Sequence, residues 1–522
     1  MRALIVASLS FASASVVSAQ HPLRHFPDAV DIRFAQSQPV IHYTLHVDGA
    51  DQSGWSVEMR IRNAPDSFQL AMARHPEYDD RFSRYVEGES ITGARGAASI
   101  AHTDSALWTV KAQNGEVVVR YRIHLPTPER PQRAAWRPFL TPTGGLTGGP
   151  HTFMYVVGAT LAPAHVKLEV PAGWKVATAL TPTNDPTVFF APSVDVLMES
   201  PILVGRFHDW SYHVDGVPHR VVYWSLPNGA SFDSGAFVGS LEKFSQQAIA
   251  LFGRAPYRDY TFIFQDGAFG ALEHPASVTL GAPSEALSKN PLASIEETAH
   301  EYFHTWNLMR IRPSEYGAVD YRNAPQSAVL WFSEGLTMYY ADALLRRAGI
   351  PTPQATRDAH LASLIERYLE NSGTLTLSAE TVSKAAYNAS PLALGDYSVS
   401  THMQGELIGT MLDFVIRDAT KGARSMDDVM RLMLERYSGE TGFTGRDVER
   451  AVGEICSCNV TPFFDAHVRG GSRIDVAHYL RLGGLQLDVS REAVIRDGAP
   501  SVDRRLVGNS REGERGLRLR LL

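Results

Sequence analysis

Cysteine is scarce: Cys456 and Cys458 are the only two in 522 residues. A packed core, and not a disulfide framework, must therefore hold the fold. With one residue between them the pair could bridge only with strain, so free or buried thiols are expected. No second pair exists to complete a four-cysteine zinc site. Neither charge sign dominates: 49 Lys plus Arg stand against 56 Asp plus Glu, a net charge of −7. Bulk attraction to nucleic acid or anionic lipid is thereby excluded. Arg504, Arg505, Arg511, Arg515, Arg518 and Arg520 are interleaved with Gly, Ser and Asp, which reads as a solvated terminus. Internal repeats, heptads and low-complexity tracts are missing. No segment offers the roughly 20 strongly apolar residues of a membrane span, so no transmembrane anchor is expected.

What remains is ordinary globular composition, 44% hydrophobic and 20% charged with a mean hydropathy of −0.15. The first 19 residues carry Arg2, an uncharged stretch and Val17-Ser18-Ala19, the three-part pattern of a secretory signal. Export to a periplasmic or extracellular setting follows. Asn388-Ala-Ser and Asn459-Val-Thr fit the glycosylation acceptor pattern. From about Pro39 to Arg206, short alternating runs such as Val40 to Val47, Ser56 to Ile61, Glu116 to Ile123 and Val166 to Val170 predict an antiparallel β domain. The Pro- and Gly-rich Pro138 to Pro150 reads as an extended loop. Strands continue from about His208 to Gly281, Arg220 to Leu226 and Tyr260 to Gln265 being the clearest.

Helices then take over. Ser294-Ile-Glu-Glu297 is a capping-box pattern ahead of an apolar stripe through Ala299, Phe303 and Trp306, and Pro313 bars continuation. A second helix is predicted from Ser327 to Arg347, closed by a cationic last turn, Gly349 and Pro351. Others are predicted over Pro353 to Glu370, Gln404 to Ala419, Met426 to Tyr437 and Gly445 to Glu454.

The chemistry is concentrated on the first two helices. His300-Glu301-Tyr302-Phe303-His304 places two imidazoles one turn apart on one face, ligand spacing for a single metal ion. Glu301, beside the first imidazole, can reach a water at that metal without occupying a coordination position. Amphipathic helices with ordinary hydrogen-bonding histidines share the pattern, so a third ligand decides. Glu334 is the only charged residue between Asn323 and Ala341. Buried without a cation, its carboxylate would cost several kcal/mol, which a zinc ion or an Arg from elsewhere would offset. Glu315 and Asp320 are nearer in sequence but lie in a predicted loop. Upstream, Glu273 in Gly270-Ala-Leu-Glu-His274 sits at a strand edge after a glycine-containing loop.

These residues resemble the glycyl aminopeptidase family of zinc metallopeptidases, relatives of the membrane-alanyl aminopeptidase clan. The resemblance rests on His300-Glu-Tyr-Phe-His-Thr-Trp-Asn307 with Arg310-Ile-Arg-Pro313, on Leu330-Trp-Phe-Ser-Glu-Gly-Leu-Thr-Met-Tyr-Tyr340, and on Gly270 to His274. Weaker likeness runs from about Tyr43 to Leu487. It implies Zn2+ held by His300, His304 and Glu334, Glu301 as general base, and Glu273 binding the free α-ammonium of a peptide substrate. The implied fold is multidomain α+β: a β domain over 20–207, a thermolysin-like zinc catalytic domain over 208–350, an α-helical domain over 351–487 and a tail over 488–522, after the signal at 1–19. Two departures stand out. Where members carry a Tyr-Tyr-x-Lys-Gly stretch whose phenol stabilises the tetrahedral intermediate, this chain has Thr401-His402-Met403-Gln404-Gly405. His402 is the expected replacement donor, with Tyr397 the alternative. The C-terminal PDZ domain of many relatives is missing or reduced to the tail. The expected activity is release of N-terminal glycine or alanine. An endopeptidase or dipeptidase with the same centre, or a catalytically weakened zinc-containing scaffold, are the alternatives.

Overall fold

A computed structural model describes residues 39–74, 82–94, 96–113, 115–125, 133–317, 320–323, 325–351, 357–370, 377–386, 400–439, 442–489, 491–496, 499–506 and 517–521. Residues 1–19, read above as a signal, Asn388 and Tyr397 lie outside the described residues. In the N-terminal region, alternation of apolar and polar residues builds a seven-stranded sheet in the order Thr181–Pro182, Val188–Ala191, Ala164–Glu169, Val40–His46, Gly54–Arg62, Glu116–His124, Val86–Gly93. Ile41, Tyr43 and Leu45 turn inward while their neighbours face outward. The ladders are antiparallel except between Val40–His46 and Ala164–Glu169, which run parallel. Two four-stranded sheets pack with it around Trp55, Trp108 and Phe153.

The stretch expected to be an extended loop is instead two strands, Phe139–Thr141 and Gly144–Gly148, paired with each other and with Pro201–Gly205. Its glycines are there for closeness, since a Cβ on Gly144 would stand 2.6 Å from Trp224 Nε1 and 2.7 Å from Val204 O. Trp224 belongs to the following region, whose five-stranded sheet runs His208–Val214, Val217–Trp224, Tyr260–Gln265, Ser277–Gly281, Ala271–His274. The three central strands are mutually parallel and both outer pairs antiparallel. Strands do not continue unbroken through this region: the helix Ser234–Phe252 intervenes, capped by the Asp233 side chain on Ala236 N and ended by left-handed Gly253. Parallel strands require such a crossover.

Helices Ile295–Phe303, Leu330–Arg347, Arg357–Glu370, Thr401–Ala419, Met426–Tyr437 and Gly445–Cys456 follow, close to the expected spans. The capping box at Ser294 does not form. Ser294 has φ −108° and ψ 11°, away from the extended cap geometry, and makes no side-chain cap bond. Cys456 and Cys458 are disulfide-bonded, contrary to the expected free thiols. Ser457 between them is left-handed, φ 52°, and the two Cα atoms come within 5.1 Å, an ordinary span for a bridge. The expected tail carries paired strands, Leu485–Val489 with Leu517–Leu521 and Arg491–Arg496 with Ala499–Leu506. Among the described residues no helix is long and apolar enough to cross a membrane.

Candidate metal centre

The Ile295–Phe303 helix lies against the five-stranded sheet, with Ala299, Tyr302 and Phe303 in the core. This orientation turns His300, Glu301 and His304 toward the sheet's last strand and the neighbouring Leu330–Arg347 helix. His300 and His304 bring their Nε2 atoms within 3.0 Å of each other. Glu334 Oε2 stands 3.4 Å from the first and 3.3 Å from the second. The three donor groups offer ligand atoms that all lie within 4.8 Å of one another. Around a tetrahedral zinc with bonds of about 2.0–2.1 Å, donors stand about 3.3–3.4 Å apart. The donor set therefore fits zinc. Among the described residues no Arg or Lys forms an ion pair with Glu334, so the lone carboxylate has imidazoles as its partners.

Supporting contacts fix these side chains. His304 Nδ1 donates to Asn307 O at 2.9 Å, which leaves the Nε2 lone pair for a metal. The Asn307 amide in turn donates to Phe332 O, Ser333 O and Thr337 Oγ1 at 3.1, 2.9 and 3.1 Å, tying the first helix to the second. Arg310 clamps the turn after the helix, donating to Pro275 O at 2.6 Å and Pro256 O at 2.8 Å.

Burial pushes His300 down to about 4. Burial also pulls His304 down, yet the carboxylates of Glu334, Glu273 and Glu301 outweigh it and hold this imidazole up at about 10. Burial raises Glu301 well above the carboxylate range, with the Glu273 charge adding to it. A carboxyl raised in this way holds a proton more readily than an ordinary one, which favours taking a proton from water and passing it on.

Glu273 lies on the edge strand Ala271–His274, as the sequence suggested, and its carboxyl and that of Glu301 are close enough to shift each other's protonation. Burial raises Glu273 too, with Glu334 adding and His304 opposing. His402, in the first turn of Thr401–Ala419, places Nε2 3.1 Å from Glu334 Oε2. All six residues singled out are therefore gathered at one centre. Glu315 and Asp320 are not: the first faces Ser314 and Ser327, the second Asn323. Asn307 was visible within the motif, but its partners lie 25 to 30 residues away and no local pattern announces them. Glu199 and His274, on the other side of the Glu273 strand, were also missed. His274 Nδ1 is 4.0 Å from Glu199 Oε2.

The family model of the M61 glycyl aminopeptidase matches residues 294–408, and that of the M61 N-terminal domain matches 42–206. Among solved structures, an aminopeptidase N family protein from Idiomarina loihiensis superposes with a TM-score of 0.78 at 22% identity, over 86% of this chain and 79% of that one. An M1 zinc metallopeptidase variant from Deinococcus radiodurans, bound to a Tyr-Ser-Ala substrate, gives 0.50 at 16% identity, over 81% and 92%. At these identities the likeness is one of fold. No curated protein matches the chain.

Proposed function

Since the chain belongs to the M61 glycyl aminopeptidase family, we propose that it is an exported zinc aminopeptidase releasing small N-terminal residues, glycine or alanine, from peptides. The observation that carries this reading is the gathering of His300, His304 and Glu334 within 4.8 Å of one another, with the carboxyls of Glu301, from the helix, and Glu273, from the sheet edge, close enough to shift each other's protonation. His300, His304 and Glu334 hold the zinc, which when bound supplies Lewis acidity to the peptide carbonyl and acidifies a water.

The chain's own groups do the rest. Glu273 accepts hydrogen bonds from the substrate's free α-ammonium, a charge-assisted contact worth about 1.5–3 kcal/mol. Pinned there, a peptide can present only its first carbonyl to the centre, and the product is a single residue. Glu301 takes a proton from the attacking water on a carboxylate oxygen. It returns that proton to the nitrogen of the leaving amine as the C–N bond breaks. His402 Nε2 donates to the oxygen on which charge develops, the part a phenol takes in the family.

The test is hydrolysis of alanyl and glycyl peptides with free and N-acetylated termini by the zinc-loaded protein and by Glu301→Gln. Cleavage of free termini only, reduced at least 100-fold in the variant with zinc retained, is the expected result. Cleavage of the acetylated peptides would point to an endopeptidase. The imidazole at the phenol position favours one further reading, a scaffold that keeps zinc but turns over slowly. Bound zinc without hydrolysis of either peptide would establish it.

A further inference from the structure

The face of the Ala271–His274 strand turned away from the metal centre borders a pocket that the chemistry above leaves unused. Leu272 pairs with Thr279 across the ladder, so these two and His274 share the face opposite Glu273. The N-terminal region closes the pocket from the other side with Trp136, Leu146, Met198 and Glu199, around a volume of about 30 Å³. One water takes about 10–15 Å³ by that measure, so there is room for a group of about two heavy atoms. The polar part of the lining is unsatisfied. Both ring nitrogens of His274 and Thr279 Oγ1 lack a hydrogen-bond partner among the described residues, although the two residues are only 7% and 1% exposed. Buried polar atoms in this state are costly until an occupant meets them. Burial pushes the His274 imidazole down to about 3, so it is neutral and presents one N–H and one lone pair. Its Nδ1 stands 4.0 Å from Glu199 Oε2. An oxygen about 2.8 Å from both atoms would subtend an angle of about 90°, which a hydroxyl accommodates. A hydroxyl can donate to one of these atoms and accept from another. A methyl does neither, an ammonium accepts nothing, and a carboxylate would face Glu199.

We infer that this pocket receives the side chain of a substrate's first residue and selects a hydroxymethyl group, so that N-terminal serine is preferred to alanine. The inference rests on the aminopeptidase reading above and deepens it by naming the side chain. The Ala271–His274 strand is the last of its sheet, so its two faces meet at an edge. A substrate held through its α-ammonium by Glu273 has its α-carbon at that edge, and the side chain, one bond further, turns round it into the pocket. Glu199 links the two places: it lines the pocket, its side chain is 26% exposed, and the Glu273 charge acts on it. An isobutyl group exceeds the volume.

Calorimetry on the full-length, zinc-loaded Glu301→Gln variant, which binds without turning over, compares the amides of serine, alanine and leucine. Serinamide should bind about 3- to 10-fold more tightly than alaninamide, the gain of one hydrogen bond, and leucinamide more weakly than either. Adding Thr279→Val, which keeps the shape and removes the hydroxyl, should bring the serine and alanine affinities together. A merely structural role for Thr279 would weaken both by the same factor and leave their ratio unchanged. If that variant does not fold, the ratio of kcat/KM for seryl over alanyl peptides in the wild type reads the same preference. Equal affinity for serinamide and alaninamide, or leucinamide bound as tightly as serinamide, would overturn the inference and leave the aminopeptidase reading intact, the pocket then holding water only. Failure of all three amides to bind would overturn both.

Discussion

Glu273 and Glu199 flank one strand, and their chemistry is separable. Glu273 shares the centre with Glu301, so Glu273→Gln should lower kcat/KM on free-amine peptides by roughly 10- to 150-fold, the equivalent of about 1.5–3 kcal/mol. Hydrolysis of acetylated peptides should change little, and a parallel fall on both would remove Glu273 from ammonium binding. Glu199 is pushed up to about 7, by burial first and by the Glu273 charge in addition, with Arg312 opposing. Its folded value thus lies above the unfolded one of about 4.5. A carboxyl raised in this way adds stability while it is protonated, and that contribution is lost as the pH climbs through about 7. Glu199→Gln stays neutral throughout, so it should melt above the wild type at pH 8 and together with it at pH 4.5. An equal gap at both values would mean that Glu199 is not titrating.

At the scale of elements, the centre is set by a helix crossing. Leu330–Arg347 and Thr401–Ala419 meet backbone to backbone, for a Cβ on Gly405 would stand 2.0 Å from Trp331 O and one on Gly335 would stand 2.2 Å from Gly405 C. Gly335 follows Glu334, and Gly405 lies three residues beyond His402, so this contact fixes the distance between the two functional side chains. Gly405→Ala should cost about 1–3 kcal/mol or more and lower zinc affinity together with the melting temperature. Unchanged zinc affinity in a folded variant would show that the crossing does not set the site. The sequence announced Leu330–Arg347 through its punctuation, Thr401–Ala419 through its helical pattern, and the proposed ligand triplet through its spacing and its lone carboxylate. It did not announce the glycine contact, which joins residues 70 apart, nor the role of Asn307, whose acceptors are two carbonyls and a hydroxyl on another helix. The helix Ser234–Phe252 was readable in retrospect from Asp233 and Gly253, but only the parallel pairing of its flanking strands makes it obligatory. The disulfide escaped because its feasibility depends on the φ of Ser457, which residue types do not specify.

For the whole molecule, the β-rich N-terminal region is a structural part of the site. A small apolar cluster of Leu146, Ala177 and Leu203 with Val222, Trp224 and Ile263 joins the two sheets. Beside it Arg133–Ala134 pairs with Ala268–Phe269, immediately before Gly270 and the Glu273 strand. Gln265, wholly buried, holds this seam from both directions: its amide donates to Ala135 O at 2.6 Å and its oxygen accepts from Arg133 at 2.9 Å. The Arg133 guanidinium also lies over the Phe139 ring at 3.6 Å. Gln265→Leu keeps the volume but leaves a buried carbonyl and a half-buried cation short of partners, at a cost of about 1–3 kcal/mol. The proposed metal ligands all come from helices on the other side of the sheet, so zinc affinity should stay at the wild-type value. The strand bearing Glu273 loses its brace, so preference for free over acetylated N-termini should narrow, chiefly through a higher KM. Loss of zinc along with selectivity would indicate that the seam supports the entire catalytic region. Retention of both would confine the N-terminal region to a role in stability alone.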